Sequence, residues 1–379
     1  MTKPFIFLAL VAAGLAACEQ DRGVANPAAA IVASRQTVQD DADEAGGLHA
    51  VYTITNQVSG NAVAVFTRAA DGTLTPAGTV PTGGTGTGTG LGSQGAVVLS
   101  DDGLRLFAVN AGSNDVSVFT VSPAGLTLAS RTPSGGIQPI SLTTSGNVVY
   151  VLNAGGAGNI TGFRLDRTGG LTPIAGSTQP LSGPNVGPAQ VRFSPDGRRL
   201  IVTEKNTNLL DLYAVDANGA ATSRISVASA GGTPFGFAFG HRSELFVSEA
   251  AGSASSYLLD AGGLTLVSGA VSTHQGAPCW AVVTNDERFG YTGNGAGSVS
   301  AYAIAPSGAI SLVDPNGATA VIGGGVNDIA LSGNSRYLYV LQVGNAPAIH
   351  AFRVQQDGHL TRLGPIVGLP AGTRGLAAR

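Results

Sequence analysis

The feature that most constrains this chain is a single unit that recurs seven times. Each copy has an apolar segment that ends in a small polar residue, then a glycine-rich turn and a second apolar segment, which typically ends in an aromatic residue. The copies read AVYTITN…AVAVF, RLFAVN…DVSVF, VVYVLN…NITGF, RLIVTE…LLDLY, ELFVSE…ASSYL, FGYTGN…SVSAY and YLYVLQ…AIHAF. Self-similarity of this kind is the signature of a repeat architecture.

The polar residues that end the first segments set the period: Asn56, Asn110, Asn153, Glu204, Glu249, Asn294 and Gln342. Their spacings of 54, 43, 51, 45, 45 and 48 residues each fit four short strands with their turns. We therefore predict an all-β, seven-bladed β-propeller with four-stranded antiparallel blades over residues 48–379. A β-sandwich would not repeat seven times, and a solenoid would need polar caps.

The two ends of the repeat region predict how the ring closes. The first unit begins at Val51 without an innermost strand before it, and the last twelve residues, GLPAGTRGLAAR, supply a strand that has no partners of its own. We expect this C-terminal strand to complete blade one, which leaves no open edge at the seam.

Composition agrees with short strands and excludes one class of partner. The chain has 56 glycines, which supply the positive φ angles that turns need, and only 11% charged residues. A net charge of −3 argues against nucleic acid, which requires a basic surface. None of the five histidines has metal-ligand spacing to another, so we expect no metal and no cofactor.

The N-terminus has the pattern of a signal peptide over residues 1–17. Lys3 is followed by an apolar run at 5–15, which is too short to span a bilayer comfortably. The acidic, alanine-rich stretch 18–47 lacks an apolar period and predicts a flexible tether.

The quartet Leu15-Ala16-Ala17-Cys18 is similar to the lipobox of bacterial lipoproteins. This resemblance implies lipidation at Cys18 and an anchor in the cell envelope. Glu19, next in sequence, implies the outer membrane, with the protein facing the periplasm. The alternative is an ordinary secretory signal with a chance cysteine. After processing, Cys279 would be the one remaining thiol, and we expect it to pack in the core with Trp280.

The seven units, the Tyr-Val-x-Asn pattern at 150–153 and the Ser-Pro-Asp-Gly turn at 194–197 resemble the propeller lactonase family. That family includes 6-phosphogluconolactonase-like proteins and fungal carboxymuconate cyclases. The resemblance implies hydrolysis of a lactone or related cyclic ester, and Glu204 matches the glutamate of the family. Ala189 and Gln190 stand where the family carries arginine and histidine.

Aligning the starts of the innermost strands predicts a largely neutral, amide-rich ring at one end of the channel. We expect it to present the ligand-binding residues Gln94, Gln138, Gln190, Asn327, Glu249 and His274. Arg374 would hold a carboxylate or phosphate, with Asp328 beside it. The alternative is that Arg374 and Asp328 pair with each other across the channel.

Two functions remain open. In the first, the chain is a hydrolase whose catalytic residues are Glu204, Arg374 and Asp328, with Glu204 activating water and Lys205 or Arg192 as its partner. In the second, it is a non-catalytic scaffold that binds a small molecule or an envelope protein, and the glutamates only cap backbone N–H groups. Either protein would be monomeric and would touch the membrane only through its lipid.

The glycine-rich stretch 82–92 lacks a phosphate-loop ending, and we expect a flexible connection there.

Overall fold

The computed structural model describes residues 49–344 and 346–379. The described chain contains 30 β-strands and no helix, arranged in seven antiparallel sheets. This confirms the predicted all-β, seven-bladed propeller. The signal peptide, Cys18 and the tether lie outside the described residues.

Blades are numbered in chain order, and the strands of each are given from the channel outward. Blade one contains β30 (Arg374–Ala378), β1 (Ala50–Ile54), β2 (Ala62–Arg68) and β3 (Leu74–Pro81). Blade two contains β4 (Val97–Leu99), β5 (Arg105–Asn110), β6 (Asp115–Ser122) and β7 (Gly125–Pro133). Blade three contains β8 (Pro139–Ser145), β9 (Val148–Asn153), β10 (Asn159–Leu165), β11 (Leu171–Pro173) and β12 (Gln179–Pro180).

The remaining blades follow the same order. Blade four contains β13 (Pro188–Phe193), β14 (Arg199–Glu204), β15 (Leu209–Val215) and β16 (Ala221–Ala228). Blade five contains β17 (Pro234–Phe239), β18 (Glu244–Glu249), β19 (Ser253–Asp260) and β20 (Gly263–Ser272). Blade six contains β21 (Pro278–Val283), β22 (Phe289–Asn294), β23 (Ser298–Ile304), β24 (Ile310–Leu312) and β25 (Ala320–Val321). Blade seven contains β26 (Val326–Leu331), β27 (Tyr337–Gln342), β28 (Ala348–Val354) and β29 (Leu360–Val367).

The ring closes as the sequence predicts, because β30 pairs antiparallel with β1 in blade one, with Ala378 opposite Val51. The C-terminal strand thus supplies the innermost strand of the first blade. This arrangement ties the two ends of the propeller together through backbone hydrogen bonds.

The burial of each strand explains its composition. The second strand of each blade, such as β5 or β14, is buried along almost its whole length, since a neighbouring blade covers each of its faces. Such strands are nearly continuous apolar runs rather than alternating ones. The outermost strands, such as β3 and β16, are mostly exposed and do not form continuous runs of large apolar residues.

Tyrosines on the second strands of blades three, six and seven join each of these blades to the next. The hydroxyl groups of Tyr150, Tyr291 and Tyr339 donate to the carbonyl oxygens of Gly219, Gly358 and Gly72, at 2.8, 2.9 and 3.0 Å. Each of these glycines lies in the turn before the outermost strand of the following blade. A Cβ atom on Gly72 would lie only 2.2 Å from the ring of Tyr337. The glycine of the repeat is therefore required by close packing between blades.

Blades three and six depart from the four-strand pattern, because their outermost strand is interrupted. In blade three, β11 and β12 both pair with β10, and in blade six, β24 and β25 both pair with β23. In blade six the interruption contains Pro315, which has no N–H for a strand ladder, and Gly317 with φ of 75°.

Candidate functional site

The innermost strands begin at one end of the channel, which we call the upper rim, and end at the lower rim. Antiparallel pairing places the end of each second strand beside the start of the innermost strand, as for Glu204 opposite Pro188 and Glu249 opposite Pro234. The residues predicted for the ring therefore occur at one rim. Their side chains, however, point in different directions.

Glu204 is fully buried and lies beneath the connection that enters blade four. Its Oε1 accepts from the backbone N–H of Ser182 at 2.9 Å, and its Oε2 accepts from the hydroxyls of Ser182 and Thr207. These donors occupy both carboxylate oxygens, and no part of the side chain reaches solvent. Because neither carboxylate oxygen is accessible to water, Glu204 is not placed to act as the general base.

Glu249 has the same position in blade five and is also fully buried. Its Oε1 accepts from the hydroxyls of Ser229 and Ser255 and from the N–H of Gly231, at 2.7 to 2.9 Å. Its Oε2 accepts from the hydroxyl of Ser253 at 2.5 Å. Both glutamates therefore fasten the connection between two blades, as Asn110 does in blade two through Thr82.

A second carboxyl group lies near Glu204. Asp211 on β15 is fully buried, accepts from the hydroxyl of Ser226 at 2.6 Å, and lies 3.4 Å from the guanidinium of Arg224. Burial and, to a lesser degree, the carboxylate of Glu204 raise the pKa of Asp211 to about 6. Blade five has Ser255 at this position, so the carboxyl pair is specific to blade four.

Gln190 and Asp328 join neighbouring innermost strands rather than face the channel as free groups. The Oε1 atom of Gln190 accepts from the N–H of Phe237 at 2.7 Å, and Asp328 accepts from the N–H of Leu376 at 3.0 Å. Burial raises the pKa of Asp328 well above its usual range. Because Asp328 makes no ion pair with Arg374, the alternative in which the two pair across the channel is not seen.

Gln94 reaches across the ring from the upper rim to blade six. Its side-chain amide donates to the carbonyl of Ala281 at 2.8 Å and accepts from the N–H of the same residue at 2.9 Å, so that blade two is bridged to blade six. The indole N–H of Trp280 donates to the carbonyl of Ser93 at 3.0 Å. Both polar atoms of the Gln94 side chain are therefore already used within the protein.

Three other predicted ligand residues remain near solvent. Gln138 and Asn327 are half-buried at the starts of β8 and β26, and no hydrogen bond of their side-chain amides is seen among the described residues. His274 is exposed on the connection that enters blade six. Cys279 is buried, as expected, and burial raises the pKa of its thiol to about 12.

The glycine-rich stretch 82–92 is hydrogen-bonded along its length, contrary to the flexible connection that we expected. Asn56 accepts from the N–H of Thr87 at 2.9 Å and donates to the carbonyl of Thr89 at 2.8 Å. A Cβ atom on Gly86 would lie 2.2 Å from the backbone of Asn56. Glycine is needed here because two backbones approach each other closely.

Two cations flank the end of this stretch at the upper rim. Lys205 is half-buried; its Nζ donates to the carbonyls of Gly92 and Pro188 at 2.6 and 3.2 Å and lies 4.9 Å from the centre of the Phe235 ring. Burial lowers the pKa of Lys205 to about 8. Its place next to Glu204 in sequence predicted only a partner for that glutamate, but neighbouring strand-end residues point in opposite directions.

Arg374 lies near the other end of the same short stretch. Its guanidinium would be 3.8 Å from a Cβ atom on Gly90, and it donates to the carbonyl of Thr373 at 2.6 Å. The Nε atom of Arg374 is buried without a hydrogen-bond partner, and burial lowers the pKa of the side chain. Among the described residues, no carboxylate lies within ion-pair distance of Lys205 or Arg374.

Two further features concern residues 49–344 and 346–379. No group of three or more His, Cys, Asp or Glu side chains is placed to hold a metal ion in this part of the chain. The same residues contain no helix with the length and apolar character needed to cross a membrane.

The architecture defines a seven-bladed β-propeller, and the comparisons with known proteins indicate which kind. Residues 50–186 match the family described as "Lactonase, 7-bladed beta-propeller". No curated protein matches the chain. These findings support the lactonase family of seven-bladed propellers as the family that the chain resembles, on the matched residues.

Solved structures extend the likeness in fold to the whole propeller. A putative 6-phosphogluconolactonase from Bacteroides fragilis is 21% identical with a TM-score of 0.71, over 88% of this chain and 98% of that one. A periplasmic gluconolactonase from Pseudomonas aeruginosa is 18% identical with a TM-score of 0.68, over 86% and 99%. At this level of identity the similarity concerns the fold, and function must be argued from the site.

Proposed function

We propose that this chain is a lactonase that acts on a lactone bearing an anionic group, at the upper rim beside residues 90–92. The observation that carries the proposal is the pair of half-buried cations, Lys205 and Arg374, which have no carboxylate partner among the described residues. The family match supports this substrate class, as does the likeness in fold to a 6-phosphogluconolactonase-like protein and a gluconolactonase.

Arg374 is the group that binds the anion. A guanidinium can hold a carboxylate or phosphate through its N–H groups, and Nη2 of Arg374, which makes no hydrogen bond among the described residues, is the donor that remains open to such a ligand beside Gly90. Burial of this charge strengthens its attraction for an anion, because water screens it less.

Lys205 is the group that handles protons. With a pKa of about 8, its amine is neutral in a substantial fraction of molecules at mildly alkaline pH. A neutral amine keeps two N–H bonds to Gly92 and Pro188 while its lone pair accepts a proton from water. The water oxygen forms a bond to the lactone carbonyl carbon, the ring C–O bond breaks, and the leaving alkoxide takes the proton from Lys205.

Hydrolysis of a panel of γ- and δ-lactones by the propeller without its N-terminal segment tests this proposal. The panel should include a sugar-acid lactone and its phosphorylated form. We expect Lys205→Met to abolish turnover, Arg374→Met to raise KM selectively for the anionic substrates, and the rate to rise with pH through about 8. Arg167→Met, at an exposed arginine in the turn after β10, is the matched control and should leave the rate unchanged. No turnover by the folded wild type would contradict the proposal.

The second candidate function is a binding scaffold without catalysis. It is favoured by one observation: the carboxylates at the upper rim, Glu204, Glu249 and Asp328, are buried and hydrogen-bonded within the protein. Calorimetric titration with the hydrolysed sugar acid separates the two candidates. Binding that depends on Arg374, with no hydrolysis of any lactone, would identify a scaffold for a small anionic ligand.

We also propose that the protein is a monomeric lipoprotein of the cell envelope, anchored through Cys18. The signal pattern and the lipobox support this location, and the similar gluconolactonase from Pseudomonas aeruginosa is a periplasmic protein. Expression in a bacterial host with radiolabelled palmitate should label the full chain and place it in the outer membrane fraction. Cys18→Ser should lose the label. Labelling of the Cys18→Ser variant, or a soluble full chain, would overturn the proposal.

A further inference from the structure

Lys205 is the one lysine of the propeller. Of the 20 lysines and arginines in the sequence, only Lys3 and Lys205 are lysines, and all the others are arginines. Arginine keeps its proton in proteins, whereas a lysine that is shielded from water can lose its proton and then act as a nucleophile. The upper rim therefore holds the only side-chain amine of residues 48–379.

The surroundings of this amine hold it in place and shield it. Its Nζ atom donates to the carbonyls of Gly92 and Pro188 at 2.6 and 3.2 Å. It also lies 4.9 Å from the centre of the Phe235 ring, which packs edge-on against Trp280 with 5.3 Å between the ring centres. These two hydrogen bonds account for both N–H groups of a neutral amine, so its lone pair remains free to attack an electrophilic carbon. The neutral form is accessible because burial lowers the pKa of Lys205 to about 8.

Arg374 flanks the same short segment that Lys205 contacts. A Cβ atom on Gly92 would lie 3.2 Å from Nζ of Lys205, and a Cβ atom on Gly90 would lie 3.8 Å from Nη2 of Arg374. Gly90 and Gly92 are both exposed, and two residues of chain span at most about 7 Å. The amine therefore has an open guanidinium donor beside it that can hold the acid group of a ligand.

We propose that Lys205 forms an imine with short oxo acids, which are molecules that carry an aldehyde or ketone together with a carboxylate. The site is that of the proposed lactonase, but the imine requires no hydrolysis of a lactone. Arg374 binds the carboxylate through Nη2, and Lys205 reacts with the carbonyl group.

The reaction is an addition followed by the loss of water. The lone pair of Nζ forms a bond to the carbonyl carbon, and the carbonyl oxygen takes one proton from the amine to become a hydroxyl group. The nitrogen then forms the C=N bond, and the hydroxyl leaves with the second amine proton as water. An arginine at this position would not react in this way, because its guanidinium keeps its proton.

The test uses two aldehydes of equal chain length, 4-oxobutanoate, which carries a carboxylate, and butanal, which does not. Cyanoborohydride reduces the imine to a stable secondary amine, and mass spectrometry with peptide mapping locates the added mass. We expect 4-oxobutanoate to label Lys205 rather than Lys3 or the N-terminal amine. Butanal should label Lys205 at least about tenfold more slowly, because it makes no charge-assisted hydrogen bond with Arg374.

Three variants assign the roles of the two cations. Lys205→Arg keeps the positive charge and should lose the label. Arg374→Met should slow labelling by 4-oxobutanoate to about the rate of butanal. Arg167→Met removes the same charge from the surface and should label like the wild type.

Two results on the folded wild type, which need no variant, would overturn the inference: no label on Lys205, or equal rates of labelling by the two aldehydes. The outcome is separable from that of the proposed lactonase. Labelling of Lys205 without hydrolysis of any lactone would contradict the lactonase alone. Hydrolysis of lactones without a label on Lys205 would contradict the imine alone.

Discussion

Two connections between neighbouring blades are held in place by different arrangements of hydrogen bonds. The short one, at 229–233, joins blades four and five and is held by Glu249, which accepts from Ser229 and Gly231. The long one, at 82–96, joins blades one and two and is held by Asn56 and Asn110 before it reaches blades three, four and six. A short connection depends on one buried anchor, whereas a long one distributes its contacts and also bridges blades that are not neighbours.

Removing the single anchor should have the largest effect. Glu249→Ala leaves Gly231 and three serine hydroxyls without their buried acceptor, and we expect the free energy of unfolding to fall by about 3–4 kcal/mol. Chemical denaturation measures this loss. Glu249→Gln keeps the shape and one acceptor oxygen, and should lose less than half as much. A loss below about 1 kcal/mol for the alanine variant would show that the short connection does not depend on Glu249.

The long connection should tolerate the loss of one contact better. Gln94→Ala removes both hydrogen bonds to Ala281, and we expect the free energy of unfolding to fall by about 2 kcal/mol. Gln138→Ala, at a half-buried glutamine without a side-chain hydrogen bond, is the control and should change stability by under about 0.5 kcal/mol. Equal losses in the free energy of unfolding for Gln94→Ala and Glu249→Ala would show that the two connections do not differ in how strongly they depend on one residue.

A smaller effect is the pH dependence of stability that Asp211 causes beside Glu204 in blade four. The pKa of Asp211 is raised to about 6 in the folded state, so the folded protein binds this proton more tightly than the unfolded chain. Its stabilising contribution is complete below the ordinary pKa of an aspartate and is lost as the pH rises through about 6. Asp211→Ser introduces the residue type of blade five and should raise the Tm at pH 7.5 relative to wild type, but not at pH 4.

Thermal unfolding from pH 4 to pH 8 checks this sign. The difference in Tm between the variant and the wild type should increase across the interval around pH 6. A constant difference over the whole range would show that the pKa of Asp211 is not raised in the folded protein. Ser255→Ala in blade five should show no pH dependence in the same interval.

The rim shows how far prediction from sequence extends. Alignment of the repeats placed Glu204, Glu249, Gln190 and Asp328 at one rim, and the strand pairing agrees. The alignment does not contain the direction of each side chain, which depends on the blade packed beside it. Buried carboxylates and amides are bonded where a neighbouring blade presents N–H groups, so these four residues hold the blades together.

The repeat alignment does not predict the contacts of Lys205 or of the stretch 82–96. Lys205 follows Glu204 in sequence, yet its amine donates to the carbonyl of Gly92, which is 113 positions away. The glycines that suggested flexibility instead permit close approach to Asn56 and Asn110. A glycine-rich composition is consistent with either outcome until the neighbouring backbone is known.

The sequence by itself determined the seven blades, their strands and the closure by residues 374–378, because these follow from local patterns of apolar residues, turns and a repeat period. Only the tertiary structure decided which polar groups are hydrogen-bonded between blades and which remain accessible to a ligand. The reason is physical: a buried polar group bonds whatever the neighbouring blade places beside it, and that neighbour is set by the closed ring. Among the described residues, the same packing leaves Lys205 and Arg374 without a carboxylate partner within ion-pair distance.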